Sequence, residues 1–366
     1  MFNPSLPDVV LPHQQSGVRM DPVWITVDDV YETLIKLDPS SAAGADEVHP
    51  QFLRSCAEFL ALPLQIVFVK SLRSGCLPSV WKNSVVIPIF KKGSRCSPLN
   101  YRPVSLTSIS CKSMERILAS HILSFLEDNH LLADSQFGFR KAHSTVDQLL
   151  LVYGEVAKWV DSGKVVDIVY LDYTKAFDLV SHQILLEKLH LLGFDRQLVH
   201  WLSDFLVGRS MSVSVAGNVS RSVEVTSGVP QGSVLGPLLF LIYVNFVTKD
   251  VIGSWTAFAD DFKLGICFPR GDAQERSVCV EALQTDLDAV SEASISWNLR
   301  LNPEKCVVMR FGERKSVDPN TYYTVMGQHL NFVNVYRDMG VVIDPELKFH
   351  EHVNSVVGRV GSMINN

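Results

Sequence analysis

The segment Phe258-Ala259-Asp260-Asp261 places two adjacent aspartates between two short runs of strand-forming residues. The surrounding segment, 255–266, predicts a strand, a tight turn and a second strand. Carboxylates held together without a basic partner repel each other, and their common use is to coordinate hard divalent cations. Acidic residues are also frequent in exposed turns. The segment taken alone therefore leaves a metal site and an exposed turn as alternatives.

A second acidic segment, 171–178 (LDYTKAFD), follows a β-rich run. The run, 165–172, predicts a buried strand with Asp172 at its C-terminal end. Asp172 and Asp260 are 88 residues apart, so they meet only if their strands lie side by side in one sheet. Carboxylates that meet in this way could hold two cations about 3.5–4 Å apart, which is the arrangement used in nucleotidyl transfer.

Size and composition indicate an ordered globular protein. The chain has 366 residues, of which 47% are hydrophobic and 20% are charged, unlike disordered chains. Its seven cysteines form no C-x-x-C pair and have no histidine cluster beside them. This pattern argues against a zinc site and favours reduced thiols in an intracellular compartment. The N-terminal residues lack the basic and apolar regions of a signal peptide. The longest apolar run, 237–247, is shorter than the about 20 residues that cross a bilayer, so it predicts a buried helix and no membrane segment.

Charge is distributed unevenly along the chain. The net charge of −6 argues at first sight against a protein that binds nucleic acid. The segment from Lys82 to Lys141 nevertheless contains nine basic and four acidic residues, a net charge of +5. This basic segment could bind a phosphate backbone locally, or it could be an ordinary solvated surface.

Periodicity predicts an α+β protein in which helices back an antiparallel sheet. A capping box at Thr26 and Asp29 predicts the start of the first helix. The sequence predicts further helices at 50–72, 111–127, 144–162, 182–192, 234–247 and 273–296. It predicts strands at 84–90, 100–106, 165–172, 306–311 and 340–343, and a hairpin over 210–225.

Seven motifs in this order resemble those of non-LTR (LINE-type, jockey-like) retrotransposon reverse transcriptases, from about Trp24 to the C-terminus. Each motif alone is weakly or moderately specific, whereas the ordered set is strongly so. The first two resemble the fingers motifs and the others resemble motifs A to E of that family. The matching segments are 81–92 with 100–106, 136–145, 171–182, 228–237, 258–261, 301–306 and 339–344.

The resemblance implies a right-hand polymerase fold. Its fingers would span 23–162, its palm 163–345 and the start of a truncated thumb 346–366. The palm would contain the antiparallel sheet, motifs A to E and interleaved helices. Residues 1–22, with four prolines, predict an extended leader.

The resemblance also implies the catalytic group. Asp172, Asp260 and Asp261 would ligate two Mg²⁺ ions, with Mn²⁺ as an alternative, and would catalyse transfer of a dNTP onto a primer 3′-hydroxyl. Lys305, in the motif D match, would act as general acid for the pyrophosphate. The alternative for Lys305 is an ordinary surface lysine.

Further residues would contact the substrates. Phe177 would exclude ribonucleotides by shape, although core packing is the alternative for this side chain. Gln231 and Gly232 would approach the template–primer pair, since glycine permits a contact that a Cβ would block. Three basic residues would bind the triphosphate, although surface cations are usually only solvated. These are Arg102, Arg140 and Lys92, with Lys91 as an alternative to Lys92.

Three functional hypotheses follow. The first is an RNA-directed DNA polymerase that acts on an RNA template, a DNA primer and dNTPs. The second, motivated by the missing thumb and the net charge, is an inactive retroelement relic that at most binds nucleic acid. The third is an RNA-templated RNA polymerase, against which Phe177 argues.

Overall fold

The computed structural model describes residues 17–313 and 322–364, so most of the predicted leader lies outside the described residues. The α-helices in these ranges are α1 (Val27–Ile35), α2 (Pro50–Ser55), α3 (Ala57–Ser74), α4 (Ile109–Asp128), α5 (Thr145–Asp161), α6 (Ala176–Leu179), α7 (His182–Leu191), α8 (Arg196–Leu206), α9 (Leu235–Val244), α10 (Ala273–Ser296) and α11 (His350–Ile364). The strands are β1 (Asn83–Phe90), β2 (Tyr101–Leu106), β3 (Lys164–Leu171), β4 (Arg209–Val215), β5 (Asn218–Val219), β6 (Val223–Val225), β7 (Ser254–Phe258), β8 (Asp261–Pro269), β9 (Val307–Phe311), β10 (Thr324–Val325), β11 (Gln328–His329), β12 (Asn331–Phe332), β13 (Tyr336–Asp338) and β14 (Val341–Ile343). Among the described helices, none is long and apolar enough to span a membrane.

The chain divides into two compact units. The first unit comprises Met1–Leu132 and Lys175–Tyr243, and the second comprises Ala133–Thr174 and Val244–Asn366.

The sheet of the first unit contains β1, β2 and β4 to β6. β1 pairs antiparallel with β2 and parallel with β4, while β5 and β6 both pair with β4. The β4–β5 hairpin turns at Ala216 and Gly217, which both have positive φ, as a two-residue turn of type I′ requires. The predicted 210–225 hairpin is therefore confirmed.

Two amphipathic helices of the first unit, α3 and α8, contribute much of its core. Phe68 and Leu72 on α3 are buried, as are Trp201 and Phe205 on α8. The Trp201 indole N–H donates to the Ser71 hydroxyl at 2.9 Å, so the polar atom of this buried ring has a partner, as burial requires.

A buried carboxylate fixes the start of α9. Glu115, on α4, is fully buried, and its Oε2 accepts from the backbone N–H groups of Val234 and Leu235 at 2.7 and 3.0 Å. These N–H groups are the unpaired donors at a helix N-terminus, where a negative charge is also favoured. This contact holds the segment of the motif B match in place.

The second unit is built on a five-stranded sheet with the order β12-β9-β3-β8-β7. The pairs β3–β8, β3–β9 and β7–β8 are antiparallel, and only the edge strand β12 pairs parallel with β9. Alternate residues of β3 face opposite sides. On one side, Val166, Ile168 and Tyr170 form a core with Tyr153 and Val156 of α5.

The other side of this sheet carries a buried ion pair. Arg310 of β9 lies opposite Asp167 of β3 in the register, and Nη2 of Arg310 is 2.7 Å from Oδ2 of Asp167. Tyr323 also donates its hydroxyl to Oδ2 of Asp167, at 2.8 Å. Oδ1 of Asp167 accepts from Nε of Arg310 at 2.7 Å, so each oxygen of the buried carboxylate has a hydrogen-bonding partner.

The predicted combination of helices with hairpin-containing sheets is confirmed. The sheets are mixed, since β1–β4 and β9–β12 are parallel pairs. The predicted helix 50–72 is wrong in one respect, because it is divided at Cys56 into α2 and α3. The backbone of Cys56 lies outside the helical region, with φ −104° and ψ 17°.

Candidate active site

The three predicted carboxylates lie where two neighbouring inner strands of the second unit's sheet meet their turns, at the end of β3 and the start of β8. Leu171, the last residue of β3, pairs with Phe262 of β8. Continuing that antiparallel register by one residue places Asp172 opposite Asp261. Asp260 precedes Asp261 in the turn between β7 and β8. The strands that sequence analysis predicts to be neighbours are therefore neighbours.

The turn that carries Asp260 is held by a buried glutamine. Ala259 and Asp260 form a two-residue turn between the paired residues Phe258 and Asp261, and Ala259 has a φ of +57°. Oε1 of Gln136 accepts from the N–H of Ala259 at 3.0 Å and from the N–H of Gly138 at 2.8 Å. The Gln136 side chain thereby keeps this strained turn in one conformation.

Gly138 is required by this close approach. A Cβ at this position would lie 2.4 Å from the backbone nitrogen of Ala259. Because that neighbour is backbone, any side chain at position 138 would displace the turn that carries Asp260.

Asp172 is held from the opposite side by the turn before β9. Its backbone carbonyl accepts from Asn302 at 2.8 Å, and its N–H points at Sγ of Cys306, 3.4 Å away. Its carboxylate Oδ2 lies 3.2 Å from Nζ of Lys305, and 64% of the lysine side chain is exposed. The predicted catalytic residues Asp172 and Lys305 are therefore adjacent, in an exposed ion pair that adds little stability by itself.

The negative charges around Asp261 oppose its ionisation. Burial of the carboxyl group, and after it the charge of Asp260, raise the pKa of Asp261 to about 6. Part of the residue is nevertheless exposed to solvent. Asp338 and Asp172 act in the same direction, whereas Lys263 opposes them. A divalent cation would reverse this effect, because it favours the ionised form.

Removing this carboxylate is expected to stabilise the metal-free chain. An aspartate whose pKa is about 6 in the native state and about 3.9 when unfolded makes the native state less stable as pH rises through that interval. Asp261→Asn should therefore unfold at higher urea concentration than wild type at pH 7.5, and the difference should vanish near pH 4. Urea titrations at both pH values measure this.

The matched control is Asp288→Asn, at an exposed position of α10 in the same unit. It should show no such pH dependence. Equal stability of Asp261→Asn and wild type at pH 7.5 would contradict the electrostatic description of the site.

The donor set suits a hard divalent cation by its chemistry. It consists of carboxylate oxygens, which Mg²⁺ prefers, and the charges of Asp260 and Asp172 help to raise the pKa of Asp261 in the absence of a cation. Over 17–313 and 322–364, no three His, Cys, Asp or Glu side chains are already grouped as metal ligands. Coordination by Asp172, Asp260 and Asp261 together would therefore need side-chain rotation, including a change in the Lys305 contact.

A second group of predicted site residues lies in the first unit. The half-buried ring of Phe177 stacks on Phe240, with centroids 4.1 Å apart and planes at 17°. Nε2 of Gln231 donates to Oδ1 of Asp178 at 2.9 Å, and Val229 donates its N–H to the Phe177 carbonyl at 2.9 Å. The structure thus brings Phe177 and the 228–232 segment together.

Gly232 lies against the strand β2 in the same unit. It has a φ of +114°, and a Cβ there would lie 2.4 Å from the carbonyl oxygen of Ser105. The neighbouring carbonyl of Gln231 accepts from the N–H of Ser105 at 2.8 Å. The glycine that the sequence motif supplies is therefore needed for packing within the protein itself.

The three predicted triphosphate ligands differ in their surroundings. Arg102 on β2 and Lys92 after β1 are exposed residues of the first unit. Arg140 is half-buried in the second unit, where its guanidinium donates to the carbonyls of Ala133 and Gln136 at 2.8 and 3.2 Å. These two bonds show that Arg140 also supports the loop that contains Gln136.

Sequence analysis did not identify several residues that shape the site. Gln136 belongs to a matched motif, but its spacing gives no indication that it binds the turn at Ala259. Lys263 and Asp338 form a buried ion pair beside the carboxylates, with Nζ 2.9 Å from Oδ1. The only sequence indication of this pair is a lysine in a strand that is otherwise largely apolar.

Comparison with known proteins agrees with this geometry. Residues 89–332, more than half of the chain, match the family model described as reverse transcriptase (RNA-dependent DNA polymerase). The RNA-directed DNA polymerase from mobile element jockey of Drosophila funebris is 32% identical over 357 residues, which cover 93% of this chain and 37% of that protein.

Two proteins of Drosophila melanogaster are similar over a comparable length. The probable RNA-directed DNA polymerase from transposon X-element is 28% identical over 92% of this chain, and that from transposon BS is 29% identical over 92%. The chain spans 37% of the length of each.

Proposed function

Because the chain belongs to the reverse transcriptase family, we propose that it is the polymerase core of a non-LTR retroelement enzyme. It would extend a DNA primer with dNTPs on an RNA template. The observation that supports this proposal most directly is the convergence of Asp172, Asp260 and Asp261 at one edge of the β3–β8 pair.

The three aspartates would hold two Mg²⁺ ions, or Mn²⁺ in their place. When bound, such ions lower the pKa of the primer 3′-hydroxyl and neutralise charge on the leaving pyrophosphate. Gln136 and Gly138 fix the backbone of the turn that carries Asp260. This preorganisation of the backbone is what a catalytic turn requires.

Lys305 would supply the proton that the pyrophosphate takes up. Its ammonium is exposed and lies 3.2 Å from Asp172, so it is beside the reacting groups and accessible to a substrate. Lys305 would leave its ion pair with Asp172 to reach the pyrophosphate. The freed ammonium could then donate a proton to a phosphate oxygen.

Six further residues would contact the substrates. Phe177 would exclude the 2′-hydroxyl, and its stacking on Phe240 limits the motion of the ring. The 231–232 segment would contact the template–primer pair, while Arg102, Lys92 and Arg140 would contribute positive charge toward the triphosphate.

The proposed division is fingers over 23–162, palm over 163–345 and the start of a thumb over 346–366. The antiparallel strands β3, β7, β8 and β9 would form the palm sheet. The compact units divide the chain at other positions, because residues near 135–137 bond to β7 and α5 packs on β3.

A primer-extension assay on the 366-residue chain tests the proposal. A DNA primer annealed to an RNA template, with Mg²⁺ and dNTPs, should be extended in the order that the template dictates. Chelation of the metal should stop the reaction. Absence of extension under conditions in which another reverse transcriptase extends the same primer would overturn the proposed activity.

A further inference from the structure

A buried ion pair connects the strand after the catalytic turn to the β13–β14 hairpin. Nζ of Lys263, on β8, lies 2.9 Å from Oδ1 of Asp338, on β13, and the two side chains are 4% and 3% exposed. Both residues belong to the second unit. At this depth the two charges need each other, because either one alone would be an uncompensated buried charge.

Hydrogen bonds extend the pair into a network with α5 and β3. Oδ2 of Asp338 accepts the Tyr153 hydroxyl at 2.6 Å, and the hydroxyls of Tyr153 and Tyr170 are 2.9 Å apart. Nζ of Lys263 also donates to Oε1 of Gln148 at 3.1 Å. Three different elements therefore fix the position of Asp338.

The pair lies between two functionally important turns. Lys263 follows Asp261 by two residues, so both side chains are on the same face of β8. Asp338 immediately precedes Met339 and Gly340, the turn of the β13–β14 hairpin, in which both residues have positive φ. A stack of Tyr336 on Tyr170, with centroids 4.0 Å apart, fixes the hairpin at a second point.

We propose that the Lys263–Asp338 pair is a positioning device that holds the β13–β14 hairpin in register with the catalytic carboxylates. This inference rests on the proposed function, because the segment 339–344 matches motif E, and the family resemblance implies that its backbone at 339–341 would hold the primer strand. The primer terminus and the metal ligands would then be placed by one rigid network. A loosened hairpin would hold the primer strand less tightly in the ground state and the transition state alike, which raises the KM for the primer–template and leaves kcat nearly unchanged.

The charge arrangement explains why an ion pair is used at this point. The Lys263 ammonium is the basic group that counters the carboxylates near Asp261, and Asp338 adds to them. The pair therefore brings the hairpin close to the catalytic carboxylates without adding net charge. Its geometry also defines the register between two elements about 75 residues apart, as buried polar pairs can do.

The test is the double variant Lys263→Met with Asp338→Leu, which removes both charges and leaves neither buried alone. Asp338→Asn is a second variant that keeps the shape and one acceptor oxygen but leaves the Lys263 charge without its partner. The control is Arg310→Met with Asp167→Leu, which removes an equally buried pair from the opposite face of the same sheet. Each protein is examined by primer extension and by hydrogen–deuterium exchange of residues 336–343.

In the Lys263/Asp338 variants, hydrogen–deuterium exchange of residues 336–343 should accelerate. The KM for the primer–template should rise about tenfold or more, while kcat at saturating primer changes by less than about threefold. The control should change neither quantity. Unchanged exchange, an unchanged primer KM in an active variant, or equal effects in the control would each overturn the inference. If wild type does not extend primers, the proposed function fails, and exchange alone still decides whether the pair holds the hairpin.

Discussion

Asp260→Asn is expected to lower the rate of dNTP incorporation by about 10³-fold or more, with little change in the affinity for primer–template. The substitution keeps the shape of the side chain in the Ala259–Asp260 turn and removes its charge. Metal ligation contributes several kcal/mol of transition-state stabilisation, and each 1.4 kcal/mol corresponds to a factor of ten. Single-turnover extension at saturating dNTP measures the effect.

Asp250→Asn is the matched control for this experiment. Asp250 is an aspartate of the second unit that is 66% exposed and pairs only loosely with Lys249, at 3.7 Å. Its replacement should leave incorporation within about twofold of wild type, as is usual for surface positions. Activity that survives Asp260→Asn would remove that aspartate from the mechanism.

Phe177→Ala is expected to raise the incorporation of ribonucleotides relative to deoxynucleotides by about 10- to 100-fold, which is the range that shape selection in a pocket supplies. The ring is half-buried and stacked on Phe240, so it is held in one orientation. The measurement is the ratio of kcat/KM for dCTP and CTP on the same primer–template.

Val180→Ala is the control for loss of packing near Phe177. Val180 is fully buried three residues further along the chain, and its truncation should weaken the fold without changing sugar selection. A dCTP/CTP ratio that is the same in Phe177→Ala and wild type would leave core packing as the role of Phe177.

Local sequence predicts most of the secondary structure of this protein. α10 has the predicted bounds, 273–296, and the capping box at Thr26 and Asp29 is formed. Both depend on residues close to one another in sequence, where helix caps and periodicity operate. No prediction covers α8, although Leu198, Trp201 and Phe205 recur on one face of it.

Pairing between distant strands is less predictable. The neighbouring positions of β3 and β8 follow from the need to bring Asp172 and Asp260 together, and the structure confirms them. The parallel pairing of β1 with β4 has no such indication in the sequence, since it joins segments 127 residues apart through Asn83 and Ser210. Pro88 lies beyond that pairing, in the part of β1 that pairs only with β2, where it is opposite Pro103.

The candidate site likewise has one part that the sequence predicts and another part that it does not. The order of the seven motifs predicts Asp172, Asp260 and Asp261 as the catalytic group, whereas the adjacent aspartates alone would also suit an exposed turn. The supporting contacts of Gln136, Lys263 and Asp338 join positions 75 to 123 residues apart, and they depend on side-chain geometry that no local pattern encodes. Sequence therefore predicts the catalytic group, and the structure is needed to show what holds it.

The decisive experiment for metal binding by these aspartates is anomalous scattering from crystals of the chain soaked in Mn²⁺. We expect an anomalous peak for an Mn²⁺ ion coordinated by oxygens of Asp172 and of Asp260 or Asp261. The Asp260→Asn substitution should weaken this peak. Well-occupied Mn²⁺ peaks elsewhere, with none between these side chains, would contradict the claim that the β3 and β8 edge is a metal-binding catalytic centre.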